Sequence, residues 1–320
     1  MIGKIYGTGS SLPKRIVSND DLAKIVDTND TWIRERTGVA RRRIIKEETT
    51  VSMATEAAQK ALEQSGIAAE EVDLILVSTI SSEVILPCTA CEVQKNIKAV
   101  NAAAFDINAA CAGFLFGYNT AQAYIAAGMA KTVLVIGSES LSNLVNWKDR
   151  STCILFGDGA GAAVLKAEKG KLLPSVSHSD GKKGEALTCL SRHRKGSPAR
   201  TRDLQAYMQM DGQSVFKFAV KKVPKAVKEV LEEAGLKADD IDYFILHQAN
   251  RRIVEAVAKR LKTDIEKFPM NLEEYGNTSS ASIPILLDEM NRKGKFVKRQ
   301  KIILAGFGAG LSWGAALLEW

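Results

Sequence analysis

Aromatic residues are scarce in this 320-residue chain, at 6%, and they do not interleave with its basic residues. A base-stacking nucleic-acid surface needs both, so none is marked. No apolar run approaches the roughly 20 residues that cross a bilayer. No secretory leader precedes Met1-Ile2-Gly3-Lys4, and low-complexity tracts are absent. Five cysteines are few and odd in number, which predicts free thiols in a reducing cytoplasm. Cys88 and Cys91 form a C-x-x-C with no second pair after it, which reads against zinc. A redox pair is the alternative to helical packing after Pro87.

What is present is a basic, mixed chain. Lys+Arg number 44 against 37 Asp+Glu, a net charge of +7. That permits nucleic acid but equally suits an acidic protein partner or a phosphorylated ligand. The length suits two domains or one large duplicated unit.

One stretch organises the rest: Asn101–Tyr118, NAAAFDINAACAGFLFGY. Ala103, Phe105 and Ile107 predict a buried strand, and Phe114, Leu115, Tyr118, Ala121 and Ile125 predict a helix running to Gly128. Cys111 sits where the two meet. A thiol at a helix N-terminus faces unpaired N–H groups, which favour the nucleophilic thiolate. The plainer reading is a small buried hydrophobe.

The chain also repeats itself. AQKALEQSGIAAEEVDLILVST (58–79) returns as VKEVLEEAGLKADDIDYFILHQ (227–248), at an offset of 169. Leu62 matches Leu231, Gly66 matches Gly235 and Asp73 matches Asp242. Lys131–Gly137 echoes Lys301–Gly306 at offset 170. This predicts a duplicated α/β unit with halves 1–170 and 171–320, joined through a polar stretch at 170–212. Functional groups are then expected at the carboxyl ends of strands.

His247 closes the apolar strand Tyr243–Leu246. His178 and His193, in the polar connection, are expected to face solvent. Asn277 opens a small-residue turn before an apolar helix, and an offset of 169 from Cys111 lands in that turn, on Ser280. A pseudo-twofold packing would bring Cys111, His247 and Asn277 together as a Cys/His/Asn set. Phe156–Gly161 fails as a dinucleotide fingerprint, because the following Ala162–Leu165 reads as a strand. Phe307-Gly308-Ala309-Gly310 offers small residues and N–H groups to an oxyanion, or is a tight turn.

Taken together, YGTGSSLP (6–13), TWIRERTGV (31–39), INAACAGF (107–114), DRSTCILFGDGAGAAVL (149–165), MDGQSVFKFAV (210–220), HQANRRI (247–253), YGNTSSASIP (275–284) and GFGAGLSWG (306–314) carry a resemblance. The whole chain resembles the β-ketoacyl-acyl carrier protein synthase III family of thiolase-like condensing enzymes. The resemblance implies a five-layered αβαβα sandwich of two duplicated halves, as a cytoplasmic homodimer. It implies Cys111 as acyl-accepting nucleophile, with His247 and Asn277 as its partners and the Ala309 N–H at the oxyanion. Trp32 and Arg36 fall on positions that hold the adenine end of coenzyme A. Arg150, Gly212, Phe216, Ala249 and Asn250 fall on the ligand channel, and Phe307 beside the malonyl group. Leu86 stands at the acyl pocket where acetyl-using members have Phe. Gln213, Ser151 and Ala309 also depart from the common residues, Asn, Gly and Gly.

The implied substrates are acyl-CoA and malonyl-acyl carrier protein, with no metal, other cofactor, nucleic acid or membrane. An acidic carrier protein is expected to dock on Lys217, Arg252, Lys259 and Arg260. Two other readings stand beside this one: a starter-unit condensing enzyme or acyltransferase of a polyketide pathway on the same scaffold, and a non-catalytic basic binding protein.

Overall fold

Strands that are apolar on both faces need a covering layer on each side. In the computed structural model, which describes residues 1–190 and 207–320, two sheets are covered in this way. His193 lies outside the described residues. The first part of the chain runs β1 (Ile2–Ser11), β2 (Ile16–Ser18), α1 (Asn19–Leu22), α2 (Asp30–Thr37), β3 (Arg41–Arg43), α3 (Thr50–Ser65), β4 (Leu74–Ser78), α4 (Thr89–Ile97), β5 (Ala103–Ile107), α5 (Gly113–Ala126), β6 (Thr132–Glu139), α6 (Arg150–Cys153) and β7 (Gly159–Glu168). The second runs β8 (Ser175–Ser179), β9 (Leu187–Thr188), β10 (Gln209–Met210), α7 (Gly212–Ala234), β11 (Tyr243–Leu246), α8 (Arg251–Leu261), α9 (Leu272–Tyr275), α10 (Ser282–Arg292), β12 (Lys301–Gly308) and β13 (Ser312–Glu319).

The N-terminal sheet has the order β1-β7-β6-β4-β5, and the C-terminal sheet β8-β13-β12-β11. In each, one neighbouring pair is parallel (β6 with β4, β12 with β11), and β7 and β13 run antiparallel to β6 and β12; β5 also pairs parallel with β4, and β11 is the edge of its sheet. The layers follow from strand alternation. Ile75 and Val77 face Met53, Ala57 and Ala61 of α3 on one outside. Leu74 and Leu76 face inward, onto Phe114 and Leu115 of α5 and Leu286 and Leu287 of α10, which also cover Ile302 and Leu304 of the second sheet. Val223, Val227 and Val230 of α7 and Val254 and Val257 of α8 close the far side over Phe244 and Ile303. The result is the expected αβαβα sandwich.

The repeat is visible in detail. Gly66 and Gly235 end their helices at φ 67° and 66°. Asp73 Oδ2 accepts from the N–H groups of Lys131 and Thr132 at 2.7 and 2.9 Å, and Asp242 Oδ2 accepts from Lys301 N at 2.8 Å. These matched carboxylates clamp the start of each parallel strand pair.

Several expectations need correction. Strand β5 forms, but as the free edge of its sheet: Ala103 is exposed and Phe105 is 36% exposed, so it is not buried within one chain. The polar connection contributes β8 to the edge of the C-terminal sheet. His178, within it, is half-buried, stacked on Trp313 at 5.2 Å and 2.6 Å from Glu229 Oε2. Arg42, the middle residue of the basic run Arg41-Arg42-Arg43, is fully buried, with its guanidinium donating to the carbonyls of Val17 and Ile154 and to Asn19 Oδ1.

The two halves approach through glycines. A Cβ on Gly137 of β6 would lie 2.3 Å from Ser280 O, and one on Gly308 of β12 would lie 2.6 Å from Cys111 N. Each central strand thus admits a turn from the opposite half. Gly137→Ala is expected to destabilise the protein by about 1–3 kcal/mol, because backbone on both sides must move. Gly181→Ala, where nothing lies within 4 Å, serves as the control. Urea midpoints measure both, and an unchanged midpoint for Gly137→Ala would contradict the crossing.

Candidate active site

Cys111 lies in a 3-10 turn, Ala110–Ala112, between β5 and α5. A second such turn, Ser279–Ala281, separates Asn277 from α10. Ala110 and Ser279, 169 residues apart, enter these turns at φ 47° and 50°. A left-handed non-glycine residue costs about 1–3 kcal/mol and persists only where its surroundings over-determine it. His247 follows the carboxyl end of β11. Cys111, His247 and Asn277 line one cavity of about 440 Å³.

Each side chain is held by a neighbour. Asn277 Oδ1 accepts from Ser279 N at 2.8 Å, which leaves its amino group to donate. His247 Nδ1 lies 2.7 Å from Ser282 Oγ, and the ring meets Phe307 edge-on at 5.2 Å and 68°. Ser279 Oγ donates to Glu139 at 3.0 Å, and Ser279 also hydrogen-bonds the Cys111 thiol. Glu139 is fully buried between the halves. Sequence reading missed Ser279, Ser282 and Glu139. The run Ser279-Ser280-Ala281-Ser282 was in view, but as turn chemistry.

The side chains of the site are buried, and that bears on their charges. Burial pushes the Cys111 thiol up to about 12, and the bond with Ser279 pulls only weakly against it. Burial likewise pushes His247 down to about 3. Desolvation disfavours whichever form is charged. The expected helix-stabilised thiolate is therefore not the resting state: a neutral thiol faces a neutral imidazole.

The cavity wall also includes Phe307, Ala309, Ala249, Gly212 and Phe216. Trp32, Arg36, Asn250 and Arg252 line it too. Asn250 caps α8 through Arg252 N and donates to Arg36 O at 2.9 Å, which ties α8 to α2. Trp32 lies between two guanidinium groups: Arg36 at 4.4 Å and Arg150 at 4.7 Å from its ring centroid. Arg150 reaches the site only through this stacking, since it is not part of the cavity wall.

Besides Arg150, Leu86 is absent from the cavity wall, as are Lys217, Lys259 and Arg260 of the expected docking surface. Leu86 is 84% exposed, on a loop with exposed Val84 and Ile85. Within one chain it cannot limit an acyl pocket. Lys217 is exposed one residue beyond Phe216. Lys259 and Arg260 sit in the last turn of α8, about 10–12 Å along the helix from Arg252. Among the described residues no group of three or more His, Cys, Asp or Glu is placed to hold a metal ion, and no helix is long and apolar enough to cross a membrane.

The thiol's protonation gives a test on the free protein. Below its pKa the thiolate fraction rises tenfold per pH unit. Alkylation of Cys111 by iodoacetamide, followed by peptide mass mapping, is expected to keep accelerating between about pH 6 and pH 10. A plateau near neutral pH would restore the helix-stabilised thiolate.

Comparison with known proteins agrees with this geometry. Residues 105–181 match the family described as 3-oxoacyl-[acyl-carrier-protein (ACP)] synthase III, and residues 231–320 match its C-terminal region. The chain is 50% identical over 318 residues to a beta-ketoacyl-[acyl-carrier-protein] synthase III of Clostridium kluyveri, covering 99% of this chain and 98% of that one. The crystal structure of 3-oxoacyl-[acyl-carrier-protein] synthase III from Aquifex aeolicus superposes with a TM-score of 0.93 at 45% identity, covering 99% and 100% of the two chains. The priming beta-ketosynthase of the R1128 polyketide pathway also superposes with a TM-score of 0.93, at 35% identity and 99% and 96% coverage.

Proposed function

Since the chain belongs to the 3-oxoacyl-[acyl-carrier-protein] synthase III family, we propose that it joins an acyl-CoA primer to malonyl-acyl carrier protein by decarboxylative Claisen condensation, starting fatty acid synthesis. The observation that carries this reading is the single cavity that holds Cys111, His247 and Asn277 at the crossing of the two halves, 1–170 and 171–320.

In the first half-reaction the Cys111 sulfur attacks the acyl-CoA thioester. The acyl group moves to Cys111, and the thiol proton ends on the departing CoA sulfur. The N–H of Ala309, in the cavity wall, serves the tetrahedral oxyanion. Trp32 would offer a flat face to a purine that displaced one of its two stacked guanidinium groups, and Arg36 and Arg150 supply positive charge for a phosphorylated ligand. In the second half-reaction malonyl thioester loses CO2, and charge builds on the thioester oxygen. His247 and Asn277 donate to that oxygen. The enolate then attacks acyl-Cys111, expelling the sulfur, which takes up a proton. Neutrality of His247 suits this: it has an N–H to give and no positive charge to keep desolvated.

The partner chemistry follows from the surface. Arg252 in the cavity wall, 5.6 Å from the Phe216 ring, and exposed Lys217 beside Phe216 offer positive charge to an acidic carrier protein. Lys259 and Arg260 extend that surface along α8. The free edge β5, with exposed Phe105, and the apolar loop tip Val84–Leu86 fit a second copy of the chain. In such a homodimer Leu86 would act on the partner's pocket rather than its own. The likeness to a priming β-ketosynthase favours the same chemistry with a different primer as the second reading.

The half-reactions separate the roles. Cys111→Ser is expected to abolish acyl transfer, read as loss of the intact-mass shift on incubation with acyl-CoA. His247→Ala and Asn277→Ala are expected to lose about 100- to 1,000-fold in malonyl decarboxylation while keeping part of the acyl transfer. The double mutant should resemble the worse single, because both donors serve one oxygen. Complete loss of acyl transfer in His247→Ala would make the histidine the base for the thiol. No mass shift in the wild-type protein would leave only a binding protein.

A further inference from the structure

The two nitrogens of His247 have different surroundings. The ring is 2% exposed and Ser282 is 2% exposed, so neither relies on bulk water. Ser282 is the first residue of α10, and its Oγ makes two contacts among the described residues: His247 Nδ1 at 2.7 Å and the N–H of Gln248 at 3.3 Å. The Gln248 N–H can only donate, so it occupies an Oγ lone pair. A serine hydroxyl has one proton and two lone pairs. If Nδ1 carried the imidazole proton, Oγ would accept twice and its own buried proton would have no acceptor. An unsatisfied buried polar group costs about 1–3 kcal/mol. If Nδ1 is bare, it accepts the serine proton and every group is satisfied.

We propose that Ser282 is a positioning residue: it donates its hydroxyl proton to His247 Nδ1 and so holds the imidazole in the tautomer that carries its proton on Nε2. The nitrogen left for the cavity is then an N–H donor and not an acceptor. This matches the neighbouring Asn277, whose Oδ1 is taken by Ser279 N and whose amino group is left to donate. The two donors are thus aimed by two residues of one four-residue run, Ser279 and Ser282. The tautomer follows from geometry alone, and its effect on rate rests on the condensation reading.

The primary test needs no substrate. The chain has three histidines, so protein labelled with ¹⁵N-histidine gives three imidazole patterns in a long-range ¹H–¹⁵N spectrum. Substitution of His178 and His193 by Asn assigns the third. At neutral pH His247 is expected to show a protonated Nε2 and a bare Nδ1. Ser282→Ala is expected to populate both tautomers. It should slow malonyl decarboxylation about 10- to 100-fold through kcat, less than outright loss of a donor, while acyl transfer to Cys111 is largely unchanged. Ser282→Thr, which keeps the hydroxyl, should restore the Nε2–H pattern and the rate. A protonated Nδ1 in the wild-type protein overturns the proposal, whether or not the variants fold. So does a Ser282→Ala protein in which both half-reactions fall by the same factor, or neither falls. A wild-type protein that forms no acyl-Cys111 would defeat the condensation reading and leave the tautomer assignment standing.

Discussion

Glu139 ends β6 at the point where the two halves cross, and it is fully buried. Its carboxyl group is satisfied entirely by protein. Oε2 accepts from Thr79 Oγ1, Ile80 N and Ser81 Oγ, on the segment after β4; Oε1 accepts from Ser279 and Ser280, on the turn from the other half. Burial raises its pKa, and these hydrogen bonds oppose that rise. The contact is demanding because removing one partner strands the others in a buried interior. It fixes the Ser279–Ala281 turn against β6, and that turn in turn holds Asn277 and touches the thiol. The position of Cys111 relative to Asn277 is therefore set through a buried carboxyl group that lies outside the cavity wall.

The burial that makes this network necessary also bears on the chemistry. A thiol pushed up to about 12 is a poor resting nucleophile. The helix start behind Cys111 does not compensate, because one turn of partial positive charge is a smaller effect than full desolvation. The same burial serves the second half-reaction. A histidine held neutral down to about pH 3 is always ready to donate. Charge that develops on a thioester oxygen there is met by fixed dipoles. The site gives up resting reactivity at sulfur and gains electrostatic stabilisation of the enolate.

Much of this was legible in the sequence, and the reasons differ by level. The layers follow from strands with apolar residues on both faces and helices with one apolar stripe. The duplication was readable because Asp73 and Asp242, Gly66 and Gly235 do the same backbone work in each copy. Cys111, His247 and Asn277 were singled out because strand ends are where such folds place function, and all three line one cavity. What stayed hidden depends on the environment rather than on residue type. Arg42, in the basic run Arg41-Arg42-Arg43, caps carbonyls in the core. Phe105 looks like core but faces outward from a sheet edge. Leu86, which the resemblance places at an acyl pocket near a dimer interface, is exposed in one chain. The thiol's charge depends on burial, which no local pattern reports.

The repeat reaches further into the site than its framework. At an offset of 169, Asn108–Gly113 (NAACAG) aligns with Asn277–Ser282 (NTSSAS), and Ser78 at the end of β4 aligns with His247 at the end of β11. One backbone turn has therefore been filled in two ways. In the N-terminal copy the position equivalent to Ser282 is Gly113, where a Cβ would lie 1.7 Å from Ser78 Oγ, so a small residue faces none at all. In the C-terminal copy a larger ring occupies the strand end, and a serine replaces the glycine to meet its Nδ1. Cys111 and Ser280 are likewise equivalent. Ser280 is tied down through its Oγ to Ser78 O at 2.9 Å and to Glu139, while Cys111 faces the shared cavity. The crossing of the two copies thus brings Cys111 from one turn into the same cavity as Asn277 from the other and His247 from the end of β11. Neither copy holds both parts, so the reacting centre exists only where the halves meet.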